Sequence, residues 1–356
     1  MKLSLSVLAL VTQASAAFAQ TSEPVTYRCE RVIEGWLNTA DINDDGVIVG
    51  SNRPKRDTWH AATWVGKRME IVPNLAGHEK DSAQGRAINR HGDLAGWVVD
   101  LGHLWPLMWT QGIAAKLPTL TDAWDADGAA LSLNARGHAA GYSTNAQGYQ
   151  HAVLWKNGTV VELGALEGDH GWRKTASLAN AINASDTVVG RSDTTNARYH
   201  AVQWANGRAS LVDLGASASG AFSEARAVNR DAVVVGYSSV GDTAEPRRPF
   251  GWVGGVAFDL RPPVNATGAV ANDINDAGTV VGTIETEDKG AVVWPHYSDE
   301  PIDLNSRLDA NGCRDGSGNT YRLTHATAIN NRGVILAGSF VFPEFESFRL
   351  IPVKAR

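Results

Sequence analysis

The sequence predicts an all-β protein, a seven-bladed β-propeller built from four-stranded blades. A short phrase, Ile-Asn-x-x-Gly followed by small and β-branched residues, occurs in seven related copies. The asparagines of these copies are 46, 45, 49, 46, 46 and 55 residues apart. A repeat length in the mid-forties is typical of one propeller blade. The copies are INDDGVIVG (42–50), INRHGDLAG (88–96), LNARGHAAG (133–141), INASDTVVG (182–190), VNRDAVVVG (228–236), INDAGTVVG (274–282) and INNRGVILAG (329–338).

Each copy predicts the first two strands of a blade, joined by a tight turn. The Asn side chain can hydrogen-bond to the backbone two residues on, and the Gly three positions on tolerates a positive φ. Asp186 and Ala232 replace that Gly in two copies. Because alanine tolerates the left-handed region poorly, the fifth turn is expected to be built differently. The Gly that closes each copy, Gly50 in the first, predicts a close backbone approach near the propeller axis.

The remainder of each unit predicts the third and fourth strands. A second phrase ends in Trp, as in HAATW (60–64), HAVLW (151–155) and HAVQW (200–204). A third phrase follows after a turn, as in VVELG (160–164) and LVDLG (211–215). Four apolar runs separated by Gly, Asn and Asp turns favour consecutive antiparallel strands. Since no sustained helical period follows the N-terminal segment, the predicted class is all-β.

These repeats resemble the HAF family of bacterial extracellular repeat proteins, named after a His-Ala-Phe run in its second phrase. The run occurs here with Ala or Val in place of Phe, as His60-Ala61, His151-Ala152 and His200-Ala201. The stretches DLNSRLD (303–309), LTHATAINNRG (323–333) and FRLIPV (348–353) resemble the closing unit of the family. The resemblance covers nearly the whole chain after the leader. It implies an exported repeat protein and brings no established reaction.

The N-terminal segment itself predicts export. Lys2 is followed by the apolar run LSLSVLALV (3–11) and by small residues ending in Ala-Phe-Ala (17–19), the pattern of a cleavable signal peptide. The apolar run is too short to span a bilayer, and no other segment approaches about 20 apolar residues. We therefore expect a signal peptide over 1–19 and a single propeller domain over 20–356. That domain is expected to be periplasmic or extracellular, monomeric and not inserted in a membrane.

The two chain ends predict how the ring closes. The segment VTYRCERVI (25–33) looks like the last strand of a unit, whereas the seventh unit stops at FRLIPV (348–353) without a fourth strand. Pairing the first segment into the seventh blade would complete that blade and remove an open edge. Cys29 lies on this clasp segment, and Cys313 lies in the longest connection between units. Thiols of exported proteins are usually paired, so a disulfide between these cysteines is expected to pin the ring closed.

Composition and motifs exclude several classes of function. The net charge is −6, from 32 basic and 38 acidic residues, and the basic clusters are short, so no nucleic-acid partner is expected. The sequence contains no HExxH, G-x-S-x-G, GxxxxGK[ST] or GxGxxG motif, so we assign no cofactor and no catalytic residue. The turn DINDDG (41–46) resembles the start of a calcium loop, but Asn52 stands where that loop needs a glutamate. No metal is therefore assigned, and a solvated turn is preferred.

Histidines occur both in the repeat and in the long loops. His60, His151 and His200 fall at equivalent positions of three different blades. The ring should hold them apart, which favours structural hydrogen bonds over a metal or catalytic role. Other acid–base groups fall in long loops and could converge there. They are His78, His103, His170, Asp125 and Asp169.

Tryptophan gives the best functional lead. Of the 12 tryptophans, six belong to the repeat and are expected to pack between blades: Trp64, Trp109, Trp155, Trp204, Trp252 and Trp294. The connections between the second and third strands and between the fourth and first strands share one side of the ring, which we call the long-loop face. The other six tryptophans fall in the first four units, in or near these connections. They are Trp36, Trp59, Trp97, Trp105, Trp124 and Trp172.

Exposed aromatic clusters commonly mark binding surfaces, and indole faces mixed with polar groups suit glycans or peptides. The predicted binding residues are Trp36, Trp59, Trp105, Trp124, Trp172, Asp125, His170 and Arg173. The sequence thus favours a non-catalytic exported propeller that binds a glycan, a peptide or a partner protein. One alternative is that these indoles form loop cores or plug the channel. Another is a hydrolase or lyase acting on an extracellular polymer, with candidate residues His170, Asp125, Asp169 and His103.

Overall fold

Seven antiparallel four-stranded sheets form a β-propeller, as the repeat predicts. A computed structural model describes residues 25–32, 37–53, 58–123, 126–166, 176–194, 198–205, 211–216, 222–285, 289–315, 317–341 and 344–353. In each blade the first strand contacts the first strands of both neighbours. The first strands therefore surround a central channel, and the fourth strands form the outer rim.

The first six blades each contain four consecutive strands. Blades one and two comprise β2 (Leu37–Ile42), β3 (Val47–Asn52), β4 (His60–Val65) and β5 (Arg68–Ile71), then β6 (Ser82–Ile88), β7 (Leu94–Asp100), β8 (His103–Thr110) and β9 (Ile113–Lys116). Blades three and four comprise β10 (Gly128–Leu133), β11 (Ala139–Thr144), β12 (Gln150–Lys156) and β13 (Thr159–Glu162), then β14 (Ser177–Ile182), β15 (Val188–Asp193), β16 (Tyr199–Trp204) and β17 (Leu211–Gly215). Blades five and six comprise β18 (Ser223–Val228), β19 (Val234–Ser239), β20 (Arg247–Val253) and β21 (Val256–Asp259), then β22 (Ala269–Ile274), β23 (Val280–Ile284), β24 (Gly290–Trp294) and β25 (Ile302–Asp303).

The seventh blade joins the two ends of the chain, as predicted. It consists of β28 (His325–Ile329), β29 (Ile335–Val341) and β30 (Glu344–Val353), and its outer strand is β1 (Thr26–Arg31). β1 pairs antiparallel with β30 from Thr26 opposite Val353 to Arg31 opposite Phe348. Two ion pairs cross this seam, Arg31 with Glu346 and Arg349 with Glu30. The N-terminal strand therefore closes the ring.

The predicted disulfide adds a covalent link at the same place. Cys29 on β1 is bonded to Cys313, with a Cα–Cα distance of 5.1 Å and a sequence separation of 284 residues. Cys313 lies in a small hairpin between blades six and seven, formed by β26 (Cys313–Arg314) and β27 (Thr320–Tyr321), which follows a 3-10 helix at Leu304–Arg307. The hairpin packs on β1 and is part of the hydrophobic core of blade seven.

The repeated asparagines link all seven blades in a closed ring of hydrogen bonds. Each side-chain Oδ1 accepts hydrogen bonds from the backbone N–H groups two and four residues on, which builds the predicted turn. Each Nδ2 donates to the carbonyl oxygen of the equivalent Asn in the next blade, at 2.8–3.3 Å. The series runs Asn43, Asn89, Asn134, Asn183, Asn229, Asn275, Asn330 and back to Asn43. All seven are buried.

We expect Asn183→Ala to lower the free energy of unfolding by about 2–3 kcal/mol, because it removes the partner of two backbone N–H groups and one inter-blade donor. Asn183→Asp keeps the acceptor oxygen and removes only the inter-blade donor. Denaturant titration of both variants would separate the turn from the ring. A loss below about 0.5 kcal/mol for the Ala variant would contradict this role.

The fifth turn is not built differently, so that prediction was wrong. Ala232 adopts φ 59° and Asp186 adopts φ 62°, and both occupy the left-handed position that Gly holds in the other copies. The Asn229 side chain makes the same two hydrogen bonds as its equivalents, to the N–H groups of Asp231 and Val233. The side-chain bonds and the ring of neighbouring asparagines thus impose the turn on a residue that disfavours it.

The closing glycines do mark close backbone approach. A Cβ at Gly96, Gly141 or Gly190 would lie 1.9–2.0 Å from a carbonyl oxygen of the neighbouring first strand. In the seventh copy, the closing Gly is not the residue at this close approach. Ala337 occupies the equivalent paired position there, and Gly338 lies one residue further on, opposite His325.

The six repeat tryptophans pack between blades, as predicted, and are 0–3% exposed. Trp155 of blade three contacts a cluster that includes Ala95 and Leu117 of blade two, and Trp204 of blade four contacts Leu163 of blade three. Each blade thereby buries one large apolar side chain against the preceding blade. Within the described ranges, no helix has the length and apolar character that a membrane crossing requires.

Candidate binding site at the mouth of the central channel

Every first strand carries a β-bulge at the same position, and the seven extra residues line one cavity. The bulge lies three residues before the repeat Asn, where the register of the first strand shifts against the second. A bulge leaves its extra residue unpaired and can redirect the side chain. These residues line a channel cavity of about 530 Å³. They are Ala40, Arg86, Leu131, Asn180, Arg226, Asn272 and Thr327.

The channel cavity opens on the long-loop face. Glu224 and His325, on its wall, lie at the beginnings of first strands. Arg247 begins the third strand of blade five, and Glu285 follows the second strand of blade six. All four positions adjoin connections of the long-loop face, whereas the asparagine ring lies at the opposite end of the first strands. The cavity is therefore the mouth of the channel on the predicted binding side.

Two guanidinium groups on this wall have hydrogen-bond donors that no described side chain or carbonyl uses. Arg86 is accessible to solvent from the channel and makes no hydrogen bond to a described residue. Burial by the surrounding residues lowers the pKa of Arg86, and the negative charge of nearby Asp41 opposes that shift. Nη1 of Arg226 donates to Asn272 Oδ1 at 3.0 Å, but its buried Nε has no hydrogen-bond partner among the described residues. The Arg86 guanidinium thus offers unused cationic donors to the cavity, whereas Nε of Arg226 is enclosed by protein.

A hydrogen-bond network fixes Arg226 from one side. The buried Glu224 carboxylate accepts from Asn180 Nδ2 at 3.0 Å, from Arg191 Nη1 at 3.1 Å and from the Tyr237 hydroxyl at 3.1 Å. Its Oε1 lies 3.9 Å from Arg226 Nε. Burial, with the neighbouring Glu224 charge, raises the pKa of the Tyr237 phenol, which therefore stays a hydrogen-bond donor. The network orders these side chains before any ligand binds.

Cationic groups also border the Tyr237 ring. The guanidinium carbons of Arg226 and Arg247 lie 5.4 and 5.1 Å from its centroid, within the range of cation–π attraction. Arg247 is paired with Glu285 through Nε at 3.0 Å. Arg247 is consequently neutralised by its own partner, whereas Arg86 is not paired in this way.

The amide side chains of two bulge residues bond to the first strand of the next blade. Asn180 Nδ2 donates to the Ala225 carbonyl at 2.9 Å, and Asn272 Nδ2 donates to the Ala326 carbonyl at 2.8 Å. Each of these bonds crosses from one blade to the next. The channel wall is therefore rigid on the side of blades four to seven.

Two buried aspartates follow bulge residues and also link blades. Asp41 accepts from the Ile88 N–H at 3.0 Å, and Asp273 accepts from the Ile329 N–H at 2.8 Å. Part of each residue is exposed, but protein surrounds most of it. Burial raises the pKa of Asp273 to about 7, and the Asp41 charge adds to this shift. Burial also raises the pKa of Asp41.

This pKa shift predicts a pH dependence of stability. Because the pKa of Asp273 in the folded state, about 7, exceeds its ordinary value of 3.8, the folded protein binds more protons between these values. The contribution of Asp273 to the free energy of unfolding should then fall as the pH rises from 4 towards 7. In Asp273→Asn, urea unfolding at pH 5 and pH 8 should show a smaller difference than in the wild type. An unchanged difference would contradict the shift.

Two of the predicted binding tryptophans, Trp59 and Trp105, are among the described residues. Both are partly exposed, unlike the repeat tryptophans. The guanidinium carbon of Arg53 lies 5.9 Å from the centroid of the Trp59 ring, and Lys116 Nζ lies 3.5 Å from the centroid of the Trp105 ring. The other predicted binding residues lie outside the described residues: Trp36, Trp124, Asp125, His170, Trp172 and Arg173.

On the long-loop face, the connection between the second and third strands of blade two is a tight turn. Residues 100–106 form the end of a hairpin, in which Leu101 and Gly102 make a two-residue turn between β7 and β8. Trp105 lies within β8 opposite Val98. Trp97 lies within β7 opposite Pro106 and is partly buried. The two strands extend further than the repeat pattern indicates, because apolar residues continue on both sides of the turn.

Most of the described histidines form local polar pairs. His151 contacts Glu162, His200 Nδ1 lies 3.0 Å from Asp213, and His60 Nε2 lies 3.3 Å from the Thr58 hydroxyl. The repeat histidines are thus held apart with structural partners, as predicted. His103 Nδ1 lies 3.3 Å from Asp127 Oδ1. His170, Asp125 and Asp169 lie outside the described residues.

His325 is the imidazole on the channel wall. Its Nδ1 lies 3.0 Å from the Thr324 hydroxyl. Burial, assisted by the charge of Lys289, lowers its pKa, so the ring is neutral at neutral pH. It adds a polar, uncharged group to the cavity.

Sequence reasoning missed the channel residues, although a signal for them exists. Each bulge residue stands three positions before the repeat Asn, and the residues between them follow the pattern small or acidic, then Ile, Leu or Val. That position varies among Ala, Arg, Leu, Asn and Thr while its surroundings repeat. A variable position inside an otherwise uniform inner strand would have indicated side chains aimed at the channel.

No protein-family model matches this chain, and no curated protein matches it. Solved structures match it over most of its length. An oligogalacturonate lyase in complex with manganese has a TM-score of 0.56 and 12% identity, covering 92% of this chain and 91% of the lyase. A puromycin hydrolase has a TM-score of 0.57 and 12% identity, covering 91% of this chain and 54% of the hydrolase. A prolyl endopeptidase has a TM-score of 0.54 and 10% identity, covering 93% of this chain and 51% of the endopeptidase.

The chain therefore spans about half the length of the two hydrolytic enzymes it matches. At 10–12% identity the likeness concerns the propeller fold alone.

Proposed function

We propose that this protein is an exported, non-catalytic propeller that binds an anionic glycan or peptide at its long-loop face. An acidic group of the ligand enters the channel cavity and pairs with Arg86 and Arg226. The observation that carries this proposal is the Arg86 guanidinium, whose donors no described residue uses, beside the Arg226 guanidinium in one cavity of about 530 Å³. Export follows from the predicted signal peptide and is consistent with the disulfide.

The chemistry of the wall favours an anion over a neutral ligand. Glu224 and Glu285 are already engaged by protein donors, so their charges are satisfied. Arg86 contributes a full positive charge within an enclosed wall, where electrostatic attraction is stronger than in bulk water. Guanidinium groups bind carboxylates with paired hydrogen bonds. Asn180 and Asn272, both fixed by neighbouring blades, define the shape of the cavity around the anion.

The aromatic residues of the long-loop face extend this proposal beyond the channel. Trp59 and Trp105 are partly exposed on blades one and two, so a ligand anchored in the channel could stack on them. The role of the remaining predicted tryptophans in binding is part of the same proposal.

The test begins with an array of acidic and neutral glycans and peptides, probed with the mature protein. The best acidic compound is then titrated calorimetrically. Arg86→Ala should weaken its binding about 10–100-fold, because a charge-assisted hydrogen bond contributes about 1.5–3 kcal/mol. Arg90→Ala is the matched control, since Arg90 is exposed on the turn at the opposite end of the channel. It should leave binding unchanged.

Two results would contradict the proposal. One is equal binding of neutral and acidic members of the same compound series. The other is full affinity of a folded Arg86→Ala variant. A melting curve for each variant verifies that the propeller is intact.

The hydrolase or lyase alternative has one supporting observation. His325 is a neutral imidazole on the channel wall and could accept a proton from a bound substrate. Incubating the best ligand with the protein and following its cleavage would test this. Cleavage that is lost in His325→Gln, with binding retained, would establish the alternative.

A further inference from the structure

Three metal-ligating side chains meet on the long-loop side of blades one and two, away from the channel. We call them the His78 cluster: His78, Asp81 and Asp100. One ligand atom from each residue lies within 4.8 Å of the other two. His78 Nδ1 is 2.8 Å from Asp81 Oδ2 and 3.9 Å from Asp100 Oδ1. It is the single such group among the described residues.

The loop that carries two of these residues is held by Asn74. Its Nδ2 donates to the carbonyl of His78 at 2.6 Å and to the carbonyl of Asp81 at 3.0 Å. The Asp81 N–H also donates to the His78 carbonyl at 3.0 Å. The third residue, Asp100, is at the end of β7. A compact loop and a strand end thus bring the three ligand atoms together, and one amide side chain fixes the backbone of the two loop residues.

The spacing fits a metal ion with little movement. Ligand atoms around a tetrahedral zinc ion lie roughly 3.4 Å apart, given bonds of about 2.0–2.2 Å to nitrogen and oxygen. The distances from His78 Nδ1 to the two carboxylates fall on either side of that value. The side chains are partly buried, so they are already partly desolvated and attract a cation more strongly than a fully exposed site would.

One of the three residues, Asp100, borders a second cavity. Asp100 lies on the wall of a cavity of about 510 Å³, together with Trp105, Lys116, His103 and Asp122. An ion held by three protein ligands keeps a fourth position for an outside group. The His78 ring meets the Trp105 ring edge-on, with centroids 5.0 Å apart.

We propose that the His78 cluster binds one divalent transition-metal ion, zinc or manganese, through His78 Nδ1 and the carboxylates of Asp81 and Asp100. One imidazole and two carboxylates suit these ions better than calcium or magnesium, which prefer oxygen alone. Lys116 lies near Asp100 but forms no ion pair with it within 4 Å; its ammonium group sits over Trp105 instead. This site is independent of the anion-binding function proposed for the channel.

The experiment uses the mature protein after treatment with a chelator. Calorimetric titration with zinc chloride or manganese chloride should show one ion per chain, and Trp105 fluorescence should change in parallel. His78→Gln and Asp100→Asn should each weaken binding at least tenfold. Asn74→Ala should weaken it about tenfold through the loop that it holds. Lys116→Met should strengthen it, because a nearby positive charge is removed.

His200→Gln is the matched control, since it removes an imidazole from a His–Asp pair that has no third ligand within the described residues. It should bind the ion as the wild type does. Trp105→Phe should lose the fluorescence change while keeping the calorimetric stoichiometry. Absence of binding at millimolar zinc and manganese would overturn the proposal. Wild-type affinity in a folded Asp100→Asn variant would overturn it as well.

Discussion

Trp155→Ala should lower the free energy of unfolding by about 3–5 kcal/mol, because it empties a position between two blades that the surrounding sheets cannot fill. Trp155 is 3% exposed and packs on Ala95 and Leu117 of the preceding blade. Its Nε1 also donates to the Pro118 carbonyl at 2.6 Å. The variant therefore loses both packing and a hydrogen bond. Urea unfolding followed by circular dichroism would measure the loss.

Trp204 separates these two contributions. It is fully buried between blades three and four, but its Nε1 has no hydrogen-bond partner among the described residues. Trp204→Phe should consequently cost less than Trp155→Phe, by about 1 kcal/mol. Trp59→Ala, at a partly exposed position, should lower the free energy of unfolding by less than Trp155→Ala does. Equal losses at all three tryptophans would show that inter-blade packing is not what distinguishes them.

Removing the disulfide should produce a comparable loss of stability. Cys29 and Cys313 close a loop of 284 residues. In the chain-entropy model so long a loop stabilises by about 5–6 kcal/mol, because the unfolded chain is strongly restricted. Melting temperature with and without reductant, and for the double variant Cys29→Ala with Cys313→Ala, would measure this effect.

The reduced protein should still keep β1 in blade seven. Six residues of β1 pair with β30, and the pairs Arg31–Glu346 and Arg349–Glu30 remain. Hydrogen exchange of the β1 amides should thus accelerate without loss of the other six blades. Titration of two free thiols in the unreduced protein would contradict the bond itself. An unchanged melting temperature after complete reduction would contradict its contribution to stability.

The sequence by itself determined the number of blades, the closing strand and the cysteine pairing. These follow from a repeat in the mid-forties, from apolar runs separated by turns, from an extra strand at the N-terminus where the seventh unit lacks one, and from two cysteines near that junction in a chain predicted to be exported. It also determined that Trp155 and Trp204 pack between blades, since a large apolar residue at a fixed place in each unit must be buried against the next. The fifth turn shows the limit of such rules. Ala232 disfavours a positive φ, yet the bonds of Asn229 to its neighbours enforce it.

The positions of the channel cavity and of the His78 cluster depend on the tertiary structure. Arg86 and Arg226 are 140 residues apart in the sequence, and they share a cavity because the ring brings the bulge of every blade to one axis. His78 and Asp100 meet because a loop and the end of β7 adjoin at the junction of blades one and two. A repeat defines what each blade has in common, whereas a site is made from the positions at which blades differ. Those differences converge only when the ring closes.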